Sequence, residues 1–254
     1  MEKTKFKLKI AGRVAAVSSR FQSTPLYFQA YLTEETADFS VEVFPEDLIL
    51  EQQLAIEEAR QEGLKVRIFP DPFLERSVIQ RKIAEALLAY DILIFHGSAV
   101  ALDGQGYLFT AKCRTGKSTH TRFWRELFGA RAVMVNDDKP FLKFESGGIW
   151  LCGSPWTGKH GIGQNMTVPL AGICILERGG ENRIETITGR EAAPMLQAQS
   201  TPPLDSRKTD AYRSLLQRLE SLGTFYRMRC TKDPQAARVA ASAMHTLPSE
   251  TGHP

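Results

Sequence analysis

The sequence predicts an α/β fold, and three observations carry that prediction. Lys5 to Ile10 and Phe39 to Phe44 alternate apolar with polar residues, the period of a half-buried strand. Longer charged stretches with apolar residues at helical spacing intervene, at Pro45 to Gly63 and in "ERSVIQRKIAEALLAY". From Asp91 onward the texture changes to short apolar runs separated by glycine turns. The end of the second helix, near Tyr90, therefore divides the chain into a small N-terminal α+β region, 1–90, and a larger part, 91–254.

Taken in order, Leu48, Leu50, Leu54 and Ile56 lie near one side of the first long helix, whose opening turn is acidic. "LKVRIF" follows as a short strand, and the helix ending at Tyr90 closes the region. Beyond it, "ILIFHGSAVAL", the turn "DGQG" and "YLFT" read as strand, turn and strand. "KSTHTRFWRELFG" is helical, "RAVMV" is a buried strand, and "NDDK" stands at its carboxyl end. The hairpin "PFLKFESGGIWLCG" leads through the loop "SPWTGKHGIGQN" to strands at "VPLAGICILERG" and "NRIETIT". A helix over Ser206 to Leu222, a strand "TFYRMRC" and a helix from Asp233 to Thr246 complete the pattern, and the tail "PSETGHP" is expected to fray.

At 254 residues and 43% hydrophobic content the chain can bury a substantial core. Its 32 basic and 29 acidic residues, net +3, are spread along the length, so no basic stripe marks a nucleic-acid partner. Cys113, Cys152, Cys174 and Cys230 form no C-x-x-C pair and have no histidines at zinc-finger spacing, which fits reduced thiols in the cytoplasm. The first ten residues alternate charge with apolar side chains, and no run of ~18 apolar residues occurs, so neither a signal peptide nor a membrane span is expected.

Thr110 to His120, "TAKCRTGKSTH", approaches the phosphate-loop (Walker A) pattern G-x-x-x-x-G-K-[ST], with Ala111 in place of the first glycine and Gly116, Lys117 and Ser118 matching. A strand runs into the loop and a helix leaves from about Gly116. The amides of Ala111, Lys112, Cys113, Arg114, Thr115, Gly116, Lys117, Ser118 and Thr119 can therefore converge on one anion. Lys117 then reaches the β- and γ-phosphates, and the Ser118 hydroxyl is placed for Mg²⁺. Ala111 adds one methyl group and is compatible with the loop when its φ is negative. Arg114 is the harder departure, because its side chain must face solvent or the phosphates. Downstream, Asp137 and Asp138 end an apolar strand. Alone such a pair is a turn or a helix cap; beside a phosphate loop it supplies one carboxylate for a metal and one to accept a proton.

With "FHGSAV", "GYLFTAKCRTGKST" and "VNDDKP" in that order, the stretch Ile92 to Ile187 resembles the catalytic domain of bacterial HPr kinase/phosphorylase and its relatives. The resemblance implies a phosphoenolpyruvate-carboxykinase-like P-loop fold on a mixed β-sheet over 91–254, ATP and Mg²⁺ as cofactors, and transfer of the γ-phosphate to a serine of a protein or peptide. It also implies roles: His96 near the transferred phosphate, Lys117 on the phosphates, Ser118 on the metal, Asp137 as general base and Asp138 as its metal-side neighbour. Without that resemblance, His96 reads as a buried strand-end histidine donating to a carbonyl.

The chain departs from that family after the Asp pair, where "GSPWTGKHGIGQN" replaces the family's glycine-rich segment. Phosphorylase activity and a carrier-protein substrate are therefore left open, and residues 1–90, which match nothing in the family, can dock a different substrate. Within the replacement loop Lys159 can neutralise charge developing on the γ-phosphate, or be an incidental surface charge, and Trp156 reads as packing. Two further readings stay open: an ATP-binding regulatory or scaffold protein without turnover, which Arg114 favours, and a small-molecule kinase of carboxykinase-like fold. Homo-oligomerisation is open as well.

Overall fold

The computed structural model describes residues 3–61 and 63–245. It is a mixed α/β protein of two compact units, Met1–Leu93 with Pro202–Tyr212, and Ile94–Thr201 with Arg213–Pro254. Thr246 and the tail that follows lie outside the described residues. No helix among the described residues is long and apolar enough to cross a membrane.

In the first unit β1 (Thr4–Ile10) and β2 (Arg13–Ser19) pair antiparallel, with Ile10 opposite Arg13. Only Ala11 and Gly12 are left to turn the chain, at φ 50 and 80, the doubly positive geometry that matches the twist of a two-residue hairpin. A short helix α1 (Thr24–Tyr27) follows, and β3 (Phe39–Glu42) joins β2 in parallel. Two helices complete the unit, α2 (Pro45–Gln61) and α3 (Asp71–Leu87). Leu74, Val78, Ile79, Ile83 and Leu87 recur mainly at four-residue steps, and all are buried.

The strand expected at "LKVRIF" does not form. Its alternation is real, but a strand needs a ladder partner. Here the Gln52 amide takes that place, donating to the Arg67 carbonyl at 3.0 Å and accepting from the Phe69 N–H at 2.7 Å. Val66 and Ile68 consequently stay exposed, Ile68 at 76%.

The second part of the chain contributes β4 (Ile92–Ile94), β5 (Ser98–Leu102), β6 (Gln105–Thr110), α4 (Lys117–Phe128), β7 (Ala132–Asn136), β8 (Phe141–Glu145) and β9 (Gly148–Cys152). Then come β10 (Thr167–Arg178), β11 (Arg183–Ile187), α5 (Gly189–Gln199), α6 (Thr209–Leu222), β12 (Phe225–Cys230) and α7 (Gln235–Met244). The nine-stranded sheet runs β4-β8-β9-β10-β6-β5-β7, with β12 also on β10 and β11 on β12. It is mixed: β6 and β12 are parallel to β10, while β5 is antiparallel to both β6 and β7.

That alternation positions the site. Ser98 lies opposite Phe109 and Ala99 opposite Asn136, so the carboxyl ends of β6 and β7 and the amino end of β5 meet at one edge of the sheet. Loops at the carboxyl ends of such strands are where α/β sheets bind ligands. Trp124 of α4 is fully buried and fixes that helix, its ring 4.9 Å from Tyr107 and 5.3 Å from Phe109. Burying one such side chain contributes about 1.5–3 kcal/mol. Ala236, Ala237, Ala240 and Ala241 of α7 join the same cluster, their small side chains bringing that helix close.

Candidate phosphate site

The loop after β6 holds its bends where the sequence must supply them. Gly116 sits at φ 119 and ψ 26 immediately before α4, a conformation that disfavours side chains. Ala111 is buried and is not among the positive-φ residues, so its methyl group fits. Arg114 is the residue that takes a left-handed conformation, at φ 61. Glycine adopts this conformation without strain, and the exposed arginine tolerates it at a cost of order 1 kcal/mol. Its carbonyl accepts a hydrogen bond from the Arg178 guanidinium at 2.6 Å, pinning the bend from outside.

Lys112 and Cys113 are exposed on the same loop, and Thr115, Lys117, Ser118 and Thr119 are half-buried around the start of α4. The first amides of a helix have no intrahelical acceptor, and the Gly116 N-cap offers no side chain. The Lys117 ammonium folds back to the Ala111 carbonyl at 3.2 Å, across the loop it serves.

The carboxylates are held by a turn built on Asn136. Its fully buried side chain donates to the Ser154 carbonyl and hydroxyl at 2.9 and 3.0 Å, and its Oδ1 accepts from the Asp138 and Lys139 amides at 2.8 and 2.7 Å. The same bend that turns the chain after β7 thus presents Asp137 and Asp138 together. Asp137 Oδ1 accepts from the buried Ser98 hydroxyl at 2.6 Å, and Ser98 Oγ lies 2.7 Å from Thr121 Oγ1 on α4. Ser98 has one hydrogen, and the carboxylate takes it. The Thr121 hydroxyl can then donate to Ser98, or to the Ser118 carbonyl at 3.2 Å. A short polar chain therefore joins the first Asp to the helix that carries Lys117 and Ser118.

His96 Nε2 lies 3.4 Å from Asp138 Oδ1. Burial first, then the positive charges of Lys139 and Lys117, push the imidazole down to about 3, so it is neutral at pH 7 in spite of that carboxylate. The backbone explains its placement: the Gly97 N–H donates to the Asp138 carbonyl at 3.0 Å, and Thr110 Oγ1 donates to the His96 carbonyl at 3.0 Å. A side chain at Gly97 would crowd β6, its Cβ standing 2.6 Å from Leu108 Cδ1 and 3.0 Å from the Phe109 carbonyl. The histidine–glycine dipeptide of the sequence is thus a close approach of β5 to β6.

The replacement loop also reaches the carboxylates. Gly158, at φ 66, lies so near that a Cβ would stand 3.1 Å from the Asp138 Cβ. Lys159 follows it in a single turn, Gly158–His160, with its side chain exposed. Trp156 is buried with its ring 6.5 Å from Phe141, which makes it packing. The sequence alone assigned no role to Ser98, Thr121, Asn136 or Lys139, although Ser98, Asn136 and Lys139 stand inside the motifs "FHGSAV" and "VNDDKP".

The donor set suits Mg²⁺ bound to nucleotide. Ser118 and Asp138 offer hard oxygens, and no group of three metal-ligating side chains is assembled among the described residues. Magnesium is commonly held by one or two carboxylates together with substrate phosphates.

No family model matches the chain, and no curated protein matches it. Among solved structures it is similar to the HPr(Ser) kinase/phosphatase from Coxiella burnetii, at 13% identity and a TM-score of 0.30, over 50% of this chain and 98% of that one. A likeness this faint transfers no residue role to the site.

Proposed function

We propose that the protein is an ATP- and Mg²⁺-dependent phosphotransferase that moves the γ-phosphoryl group to a hydroxyl, namely a serine of a protein or peptide. The observation that supports this reading most is the Asp137–Ser98–Thr121 connection, which ties a carboxylate to the helix of the phosphate loop. A nucleotide-binding protein without turnover shares the loop but has no use for a carboxylate aimed by a buried serine. The order of motifs in the sequence supports the serine acceptor, and residues 1–90 are proposed to dock it.

In this reading the loop amides and Lys117 hold the β- and γ-phosphates, while Ser118 and Asp138 are the residues that would hold Mg²⁺, which supplies charge neutralisation on the phosphate oxygens. Asp137 accepts the proton of the acceptor hydroxyl as its oxygen bonds to phosphorus, and the bond to the ADP oxygen breaks. Neutral His96 adds no positive charge and can share a hydrogen bond with the moving phosphoryl oxygens. Lys159, one residue beyond Gly158, is proposed to close over the γ-phosphate from solvent. The test is incubation with γ-labelled ATP, Mg²⁺ and lysate of the source cells. Wild type should label a protein or peptide on serine. Asp137→Asn, which preserves the Oδ1 acceptor for Ser98, should lose about a hundredfold in rate or more with little change in melting temperature. Undiminished labelling by the variant removes Asp137 as the base.

A further inference from the structure

Lys139 is the cation at this site that neither the loop motif nor the Asp pair accounts for. Its backbone is fixed on both sides: the amide donates to Asn136 Oδ1 at 2.7 Å and toward the Trp156 carbonyl at 3.3 Å, and its carbonyl accepts from Ser154 Oγ at 2.6 Å. The side chain is half-buried and leaves the same turn as Asp137 and Asp138. Its ammonium nevertheless makes no ion pair or hydrogen bond among the described residues. The Phe95 N–H donates to the Pro140 carbonyl and the Gly97 N–H to the Asp138 carbonyl, both at 3.0 Å, so Lys139 stands across from His96. The His96 carbonyl accepts from Thr110 Oγ1 at 3.0 Å, one residue before the Ala111 carbonyl to which Lys117 donates. Three groups from three different segments, the helix start, the strand-end turn and the approach to β5, therefore border one small region.

We propose that Lys139 is a catalytic residue that binds the γ-phosphoryl group of ATP, opposite the loop lysine, so that Lys117 and Lys139 hold the group from two sides. Lys117 rises from the loop and serves the β- and γ-phosphates alike. Lys139 rises from the Asp turn, beside His96 and the base, and serves the γ-group alone. The turn that presents the proton acceptor therefore also presents a cation for the group being transferred, and the buried Asn136 sets both.

This inference rests on the ATP reading of the site, and a nucleotide series separates the two. Titration calorimetry with Mg²⁺ and either ADP or β,γ-methylene-ATP is run on wild type, Lys117→Ala, Lys139→Gln and Lys139→Arg, with melting curves to verify folding. Lys117→Ala should weaken both nucleotides. Lys139→Gln should weaken the ATP analogue roughly tenfold or more and leave ADP within about twofold, while Lys139→Arg retains most of the preference. Should wild type bind neither nucleotide, the phosphotransferase reading falls and takes this one with it. Binding of both by wild type, with Lys139→Gln weakening neither or both alike, overturns the role of Lys139 and leaves the loop reading standing. Lys139→Met, which keeps the aliphatic stem, is the second variant; if both neutral variants fail to fold, the ammonium is structural and the inference is overturned.

Discussion

Replacing Ser98 with alanine removes one hydroxyl and interrogates the link between carboxylate and helix. Ser98 is fully buried and donates to Asp137 at 2.6 Å. A hydrogen bond to a charged group is worth about 1.5–3 kcal/mol, and because Asp137 is half-buried and can recruit water, the low end applies. Thr121 loses its contact to Ser98 but keeps the Ser118 carbonyl at 3.2 Å, so it adds little. The expected destabilisation is therefore about 1.5 kcal/mol, or about 3–6 °C in melting temperature for a chain of this size. Turnover should fall further than stability implies, on the order of tenfold to a hundredfold, because an unaimed base no longer meets its proton in line. MgATP affinity should hold. Melting curves, calorimetry and single-turnover phosphotransfer on the same preparation separate these effects. A variant that melts lower but transfers phosphate at the wild-type rate would show that Ser98 is only a packing residue and that the polar chain does not aim Asp137.

Arg114→Gly restores the residue that φ 61 favours, so stability should not fall; weaker MgATP binding would then report a phosphate contact of the arginine side chain, the expected outcome, whereas tighter binding would refute it. His120 is buried, accepts from the Trp124 indole N–H at 3.2 Å, and is pushed down to about 4 by burial. Between its ordinary value of 6.5 and about 4 the unfolded chain binds a proton that the folded chain does not, so stability rises with pH across that window and falls on acidification. The histidine should cost about 2 kcal/mol between pH 7.5 and pH 5. Denaturant unfolding at the two pH values should show His120→Gln losing less than wild type by that amount, and an equal loss would remove His120 as the cause.

The sequence made the strand, loop and helix around Gly116 legible because three features coincide there: an apolar strand, a Gly-Lys-Ser and an amphipathic helix. The hairpin over residues 141–152 and the final strand were equally open to inspection, since their apolar runs are bounded by turn residues. Other elements failed for identifiable reasons. β2 went unread because its turn is Ala11-Gly12, with a non-glycine residue at the first positive φ and no Asn-Gly or Asp-Gly to announce it. α5 contains Pro194, which discourages a helix, although Thr188 and Glu191 form a complete capping box that could have revealed it. "LKVRIF" misled because alternation reports a half-exposed chain and says nothing of whether a neighbouring strand exists. Within the site, titratable residues in motifs were visible, while Ser98, Thr121 and Asn136 were not, because their contacts to Asp137, Ser98 and Ser154 span 39, 23 and 18 residues of chain.

On the proposed reading, the loop from Ala111 to Ser118 binds the phosphates of a nucleotide. Titrating MgATP into wild type and Lys117→Ala tests it most directly, since a charge-assisted phosphate contact is worth roughly 1.5–3 kcal/mol and its loss should weaken binding about tenfold or more. A saturable wild-type isotherm with that loss in the variant is the predicted result. Equal affinities, or a folded wild-type protein that takes up no MgATP at all, would contradict the claim.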